Sequence, residues 1–158
     1  MKAPSLPAPT RDLAKAILGI WKLETRQDVD ASGQKRIDPG LGPDPSGVLC
    51  FAPGYFAAQF MKRDRSSTQG AAAAAPAAPA LNNSSPVGGY DAYFGTYVID
   101  REAGTLTTVL EGSISPGAIG SKFVRDVRVV GNKLTVQLAT TAPDGASITR
   151  TLVFTRLM

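Results

Sequence analysis

The sequence predicts an all-β fold: an antiparallel up-and-down barrel of eight or nine strands, preceded by a short helix. Three observations predict it. From residue 20 onward, apolar and polar residues alternate with a period of two over most segments. Turn dipeptides and Gly/Pro clusters separate those segments at short intervals. The 158-residue chain also carries 16 Gly and 12 Pro, more than a helical bundle accommodates. Strands joined by tight turns leave no open sheet edge when they close on themselves, which favours a barrel over the alternative, a sandwich. An eight-stranded barrel has an interior able to hold one small ligand.

The elements follow in order. Residues 1–10 carry Pro4, Pro7 and Pro9 and read as a flexible tail without the apolar core of a signal peptide, so the expected location is cytoplasmic. Thr10 is a candidate N-cap for a helix over Arg11–Leu18, with Leu13 and Ile17 on one face and Gly19 ending it. Ile20–Asp30 alternates: Trp21, Leu23 and Thr25 on one side, Lys22, Glu24 and Arg26 on the other. A short strand and a Pro/Gly-rich loop occupy residues 34–46. Strands over Gly47–Ala52 and Tyr55–Lys62 flank the Pro53-Gly54 turn. Residues 66–89 hold no charge, contain Ala71–Ala75 and three prolines, and read as a low-complexity loop or lid inside one domain spanning 11–158. Strands resume at Asp91–Asp100, Thr105–Ile114, Lys122–Val130, Lys133–Thr140 and Ile148–Leu157. Asp100–Gly104, Val130–Lys133 and Pro143-Asp144-Gly145 are hairpin-type turns.

Composition excludes whole classes of chemistry. With no histidine and one cysteine, the chain has no Ser-His-Asp or Cys-His catalysis, no His-ligated metal and no internal disulfide. Proton transfer falls to Asp, Glu, Tyr, Lys or Cys. The net charge of +4 comes from scattered residues and reads as a solvated surface, not a nucleic-acid site. No apolar run approaches the ~20 residues of a membrane span. No Gly-rich phosphate loop, Rossmann signature or EF-hand spacing is present, so no cofactor is expected. Cys50 sits in an apolar strand, with nothing beside it to ionise the thiol, and reads as a core residue.

Gly19-Ile20-Trp21 after a short helix resembles the opening of lipocalins, in which a Trp at the closed end lies under an Arg of the last strand. Arg156 in Phe154-Thr155-Arg156 is placed for that role, a cation–π contact of about 0.5–2 kcal/mol. Further segments resemble the bacterial and fungal lipocalin-like domain family. They are Gly47–Phe51, Pro53–Met61 with Arg65, Tyr93–Tyr97, Glu111-Gly112-Ser113, Pro116, Gly120 and Arg125. The resemblance implies a calycin-type barrel with a cavity. The chain departs from it at Thr107-Thr108-Val109-Leu110, where members often carry His.

Alternation nominates lumen-facing residues. Glu111, Val109 and Ser113 share one face of their strand. Tyr93 and Tyr97 share another, as do Phe123 with Arg125, Tyr55 with Gln59, and Arg150 with Arg156. Glu111 is the candidate acid or base, because a carboxylate inside an apolar barrel is either desolvated or held ionised by an Arg such as Arg125 or Arg150. The plain alternative is a structural Glu–Arg pair, or a Glu facing solvent. Arg125 and Tyr93 are candidates to stabilise a ligand oxyanion. Tyr97, Gln59, Tyr55, Ser113, Phe123 and Arg150 are candidate binding residues.

These residues allow two functions. One is a cofactor-free isomerase, cyclase or dehydratase acting on a small apolar metabolite, of the kind found in secondary-metabolite biosynthesis. The other is a non-catalytic carrier of a hydrophobic small molecule. The expected assembly is a monomer or homodimer.

Overall fold

The computed structural model describes residues 2–8, 12–66 and 82–158. Nine strands form one antiparallel sheet: β1 (Gly19–Asp30), β2 (Lys35–Arg36), β3 (Ser46–Ala52), β4 (Tyr55–Met61), β5 (Tyr90–Asp100), β6 (Thr105–Ser113), β7 (Lys122–Val130), β8 (Lys133–Thr141) and β9 (Ser147–Arg156). From β3 onward each strand pairs with the next, β3 also pairs with β1, and β1 pairs with β9, which closes an eight-stranded barrel. β2 is a two-residue addition to the mouth end of β1. The strand boundaries match the sequence expectation within a residue or two, because alternation and turn chemistry specify them locally.

The helix α1 (Leu13–Ala16) is shorter than the expected Arg11–Leu18. Thr10 and Arg11 lie outside the described residues, and Asp12, at the N-cap position, makes no side-chain cap. Two competing contacts account for the early end. The Trp21 indole donates to the Ile17 carbonyl at 2.8 Å, and Arg156 donates to the carbonyls of Ala16 and Leu18, both at 2.6 Å. The last helical carbonyls are thus satisfied by side chains instead of by a further turn. Arg156 stacks over Trp21 at 4.1 Å from the ring centroid, as expected. Leu13, Ile17 and Trp21 are completely buried and form the barrel floor.

Two β-bulges set which side chains enter the barrel. Leu23 pairs with Phe154 and Thr25 with Val153, leaving Glu24 as an extra residue. Beyond it the parity of β1 is reversed: Arg26 faces Leu152 at the barrel cavity, and Asp28 faces Arg150 at the mouth pocket. Simple alternation puts Arg26 outside, and the bulge corrects that. In the second bulge, Phe94 pairs with Gly112 and Gly95 with Leu110, so Glu111 is the extra residue. A Cβ on Gly95 would collide with the Val109 carbonyl oxygen, so this bulge needs a glycine.

Residues 67–81, the centre of the expected lid, lie outside the described residues. The described end of that segment is fixed to the barrel. Ser84 and Ser85 are buried, Ser115 donates to the Ser85 carbonyl at 2.5 Å, and Val87 and Tyr90 bridge. In the N-terminal tail, the Pro4 and Pro7 carbonyls accept hydrogen bonds from Gln137 and Arg128. No helix among the described residues is long and apolar enough to cross a membrane.

Candidate functional site

The barrel interior is divided along its axis. The closed half is apolar: Trp21, Leu23, Leu110, Val127 and Leu134 are buried there. Aromatic rings stack up the wall, with Phe51 against Tyr97 at 5.2 Å and Tyr93 between Phe56 at 6.0 Å and Phe123 at 6.1 Å. Toward the mouth the lining turns polar. A cavity of about 60 Å³ is lined by Phe51, Phe56, Tyr93 and Phe123 of this wall together with Arg26, Asn83, Asp91, Thr108, Arg125 and Arg150. One buried water needs roughly 10–15 Å³ on the same measure, so the space holds a few water-sized groups. Above it lies a mouth pocket of about 680 Å³, bounded by residues 36–40, 83–86 and 141–145. The two meet at Asn83 and Arg150, which line both.

The polar ring contains two kinds of charge. One set is internally neutralised. Arg150 grips Asp28 through Nε–Oδ1 at 2.7 Å and Nη2–Oδ2 at 2.9 Å, and Arg26 pairs with Asp38 at 2.8 Å. Burial works to raise the Asp38 pKa, but Arg26 and Arg150 beside it hold the carboxyl below its ordinary value. Burial likewise works against the Arg150 charge, and Asp28 more than restores it, leaving its pKa raised.

The second set is not neutralised. Arg125 is 7% exposed, and no carboxylate among the described residues forms an ion pair with it. Its guanidinium donates to the Asn82 carbonyl at 2.8 Å and stacks 4.9 Å from the Phe123 centroid. Burial pushes its pKa down to about 10, which still leaves it charged at neutral pH. Tyr93 stands beside it. Burial, and then the charge of Asp91, raise the Tyr93 pKa, so the phenol keeps its proton and is a donor. Asp91 lines the same cavity, with the Ser84 hydroxyl 2.8 Å from both carboxylate oxygens. Burial raises its pKa above the ordinary carboxylate range, against the opposing pull of Ser84 and a backbone N–H. A desolvated carboxyl, a neutral phenol and a guanidinium with no ion-pair partner among the described residues thus share one cavity.

Of the residues nominated from sequence, the structure brings Arg125, Tyr93, Phe123 and Arg150 to the cavity. It moves the others away. Glu111 is exposed on the outer face, because Leu106, Thr108 and Leu110 take the inward positions of β6 and the bulge leaves Glu111 outside. Tyr55 and Gln59 also point outward, since Phe56, Ala58 and Phe60 fill the inward face of β4. Tyr55 is 56% exposed, and Gln59 accepts a hydrogen bond from Tyr90. Tyr97 donates to the Ala52 carbonyl at 2.8 Å and does not line the cavity. Ser113 accepts the Ser115 N–H beyond the cavity wall. Cys50 is half-buried on the outer side of β3, between the inward Leu49 and Phe51, and is not a core residue.

Sequence reasoning missed Arg26, Asn83 and Asp91. Asp91 carried a readable signal: it lies two residues before Tyr93, on the same strand face. Arg26 carried none, because the bulge that turns it inward is invisible to alternation.

A closed antiparallel barrel with a Trp–Arg floor and a cavity open at the other end is a calycin-type barrel, a fold that suggests small-molecule binding. The family model described as the lipocalin-like domain matches residues 18–157, and the chain belongs to that family. No curated protein matches the chain.

Proposed function

We propose that the barrel binds a small, largely apolar compound through one carbonyl or acidic oxygen and catalyses a cofactor-free proton shift on it. The observation that carries this reading is Arg125, a buried guanidinium with no carboxylate partner among the described residues, sharing a cavity with the Tyr93 phenol and the Asp91 carboxyl. Arg125 and Tyr93 are donors aimed at an oxygen on which negative charge develops. Asp91 is the proton carrier. Its ionised form takes a proton from the carbon next to the carbonyl, and the electron pair moves onto the oxygen as an enolate. Where the substrate is β,γ-unsaturated, the neutral Asp91 returns the proton at the γ-carbon of the dienolate, giving the conjugated isomer; where it carries a β-hydroxyl, the enolate pair forms the C=C bond as the C–O bond breaks, and Asp91 protonates the departing hydroxyl to give water. The apolar walls keep bulk water from the enolate.

This replaces Glu111 with Asp91 and keeps the assignment of Arg125 and Tyr93 as oxyanion donors. The test is α-proton exchange of 2-tetralone in D₂O, followed by NMR. The wild-type protein is expected to exceed the buffer rate, and Asp91→Asn to lose about 10²–10⁴-fold of the acceleration. Binding of the probe with no acceleration would remove the catalytic reading and leave a carrier.

A further inference from the structure

We propose that Asn82 is a positioning residue for Arg125: it stitches β7 to β8 across an open seam and so holds the guanidinium in the cavity wall. The inference rests on Arg125 receiving the ligand oxygen.

The β7–β8 ladder runs from Val130↔Lys133 to Asp126↔Gln137 and stops there. Beyond that point Lys122–Arg125 stay paired with β6, and Leu138–Thr141 with β9. The two strands therefore part toward the mouth, beside Arg125. The Asn82 amide bridges the gap. Its Nδ2 donates to the carbonyls of Val124 at 3.2 Å and Ala139 at 3.1 Å, and its Oδ1 accepts the Val124 N–H at 2.9 Å. One side chain thus supplies bonds to both strands where the ladder has ended. Its backbone has a φ of +57°, a left-handed conformation that Asn tolerates better than most residues.

The same residue fixes Arg125. Nη1 donates to the Asn82 carbonyl at 2.8 Å and to the Val124 carbonyl at 3.2 Å, while Nη2 lies 3.4 Å from the Asn83 Oδ1. These partners are neutral. They direct the guanidinium without cancelling its charge, so the charge remains for a ligand. Segment 82–83 is therefore part of the binding apparatus.

The test uses rotation of the Arg125 guanidinium, measured by NMR on the full chain carrying labelled arginine, together with calorimetric binding of benzoate. In the wild type the Arg125 Nη groups are expected to rotate slowly. Asn82→Gly keeps the left-handed backbone without strain. It leaves the backbone carbonyl that accepts from Arg125 and removes only the amide that joins the strands, so it should speed that rotation and weaken benzoate by about fivefold, the scale of one net neutral hydrogen bond. Freely rotating Nη groups in the wild type would overturn the proposal, and this measurement stands even where the variant does not fold. Unchanged rotation and affinity in Asn82→Gly would overturn it as well. Equal benzoate affinity in the wild type and Arg125→Leu would instead remove the binding role of Arg125, while leaving the rotation result to decide whether Asn82 positions it.

Discussion

Arg150 and Asp28 form a two-pronged ion pair between β9 and β1, with both side chains buried at the level where the barrel cavity meets its mouth. The pair sits in register, Asp28 opposite Arg150, and Asp38 adds a third contact to Arg150 at 3.7 Å. Removing one member of such a pair strands a buried charge at a cost of about 3–5 kcal/mol, whereas replacing both with apolar residues costs far less. Asp28→Leu is therefore expected to lower stability by about 3–5 kcal/mol, and Asp28→Leu with Arg150→Met to recover much of that loss. Urea unfolding of the two variants measures the difference. Equal losses in both would show that the pair itself, not the orphaned charge, carries the stability.

The two carboxyls near this pair predict opposite pH dependences. The folded pKa of Asp38 is depressed, so its stabilising effect is present above its unfolded value and is lost as pH falls through the folded one. The folded pKa of Asp91 is raised, so its contribution is full below the unfolded value, about 3.9, and is lost as pH rises through the folded one. Asp91→Asn removes only the second effect. The variant's melting temperature should gain on the wild type as pH is raised from the unfolded carboxyl value of about 3.9 toward neutrality. A gap that stays constant over that range would mean Asp91 does not titrate abnormally.

Gly95 is predicted to tolerate no side chain. Alanine there would drive its Cβ into the Val109 carbonyl oxygen at the bulge that faces Gly95. Backbone cannot move aside as a side-chain tip does, so Gly95→Ala should destabilise by about 2–4 kcal/mol. For comparison, Gly117→Ala meets open space and should fall within about 0.5 kcal/mol of the wild type. Thermal unfolding of both variants checks the contrast, and a mild effect at Gly95 would indicate that the β5–β6 bulge can relax.

The same bulges decide how much of the molecule could be read in advance. Barrel, strand limits, the Trp21–Arg156 floor and the inward faces of β7 and β9 all follow from local alternation, which those strands keep without interruption. A bulge adds one residue and leaves each flank alternating correctly, so the pattern gives no sign that inside and outside have been exchanged between the two flanks. That concealed the turn of Arg26 to the cavity and of Asp28 to the mouth pocket. Glu111 failed for a simpler reason: Val109, Glu111 and Ser113 form as plausible an inward set as Leu106, Thr108 and Leu110, and only packing against the neighbouring strands chooses between them. Asn82 and Asn83 lie in a stretch whose composition reads as loop, and their value comes from partners some forty to sixty residues away.

Glu111 and Arg125 give the sharpest functional contrast. Both carry charge on neighbouring strands, yet one meets solvent and the other meets the cavity. Glu111→Gln removes an exposed charge outside the barrel and should leave stability within about 0.5 kcal/mol, and benzoate affinity and 2-tetralone exchange, as in the wild type. Arg125→Leu is close in bulk but cannot donate to an oxyanion. It should weaken benzoate by about 10–100-fold, the worth of a charge-assisted hydrogen bond in a site shielded from water. Because Arg125 is buried with no ion-pair partner among the described residues, losing its charge relieves desolvation, so the variant should remain folded. Calorimetry on the two variants separates the roles directly. A loss of benzoate binding in Glu111→Gln, with Arg125→Leu unaffected, would place recognition on the outer face of β6 and refute the cavity as the site.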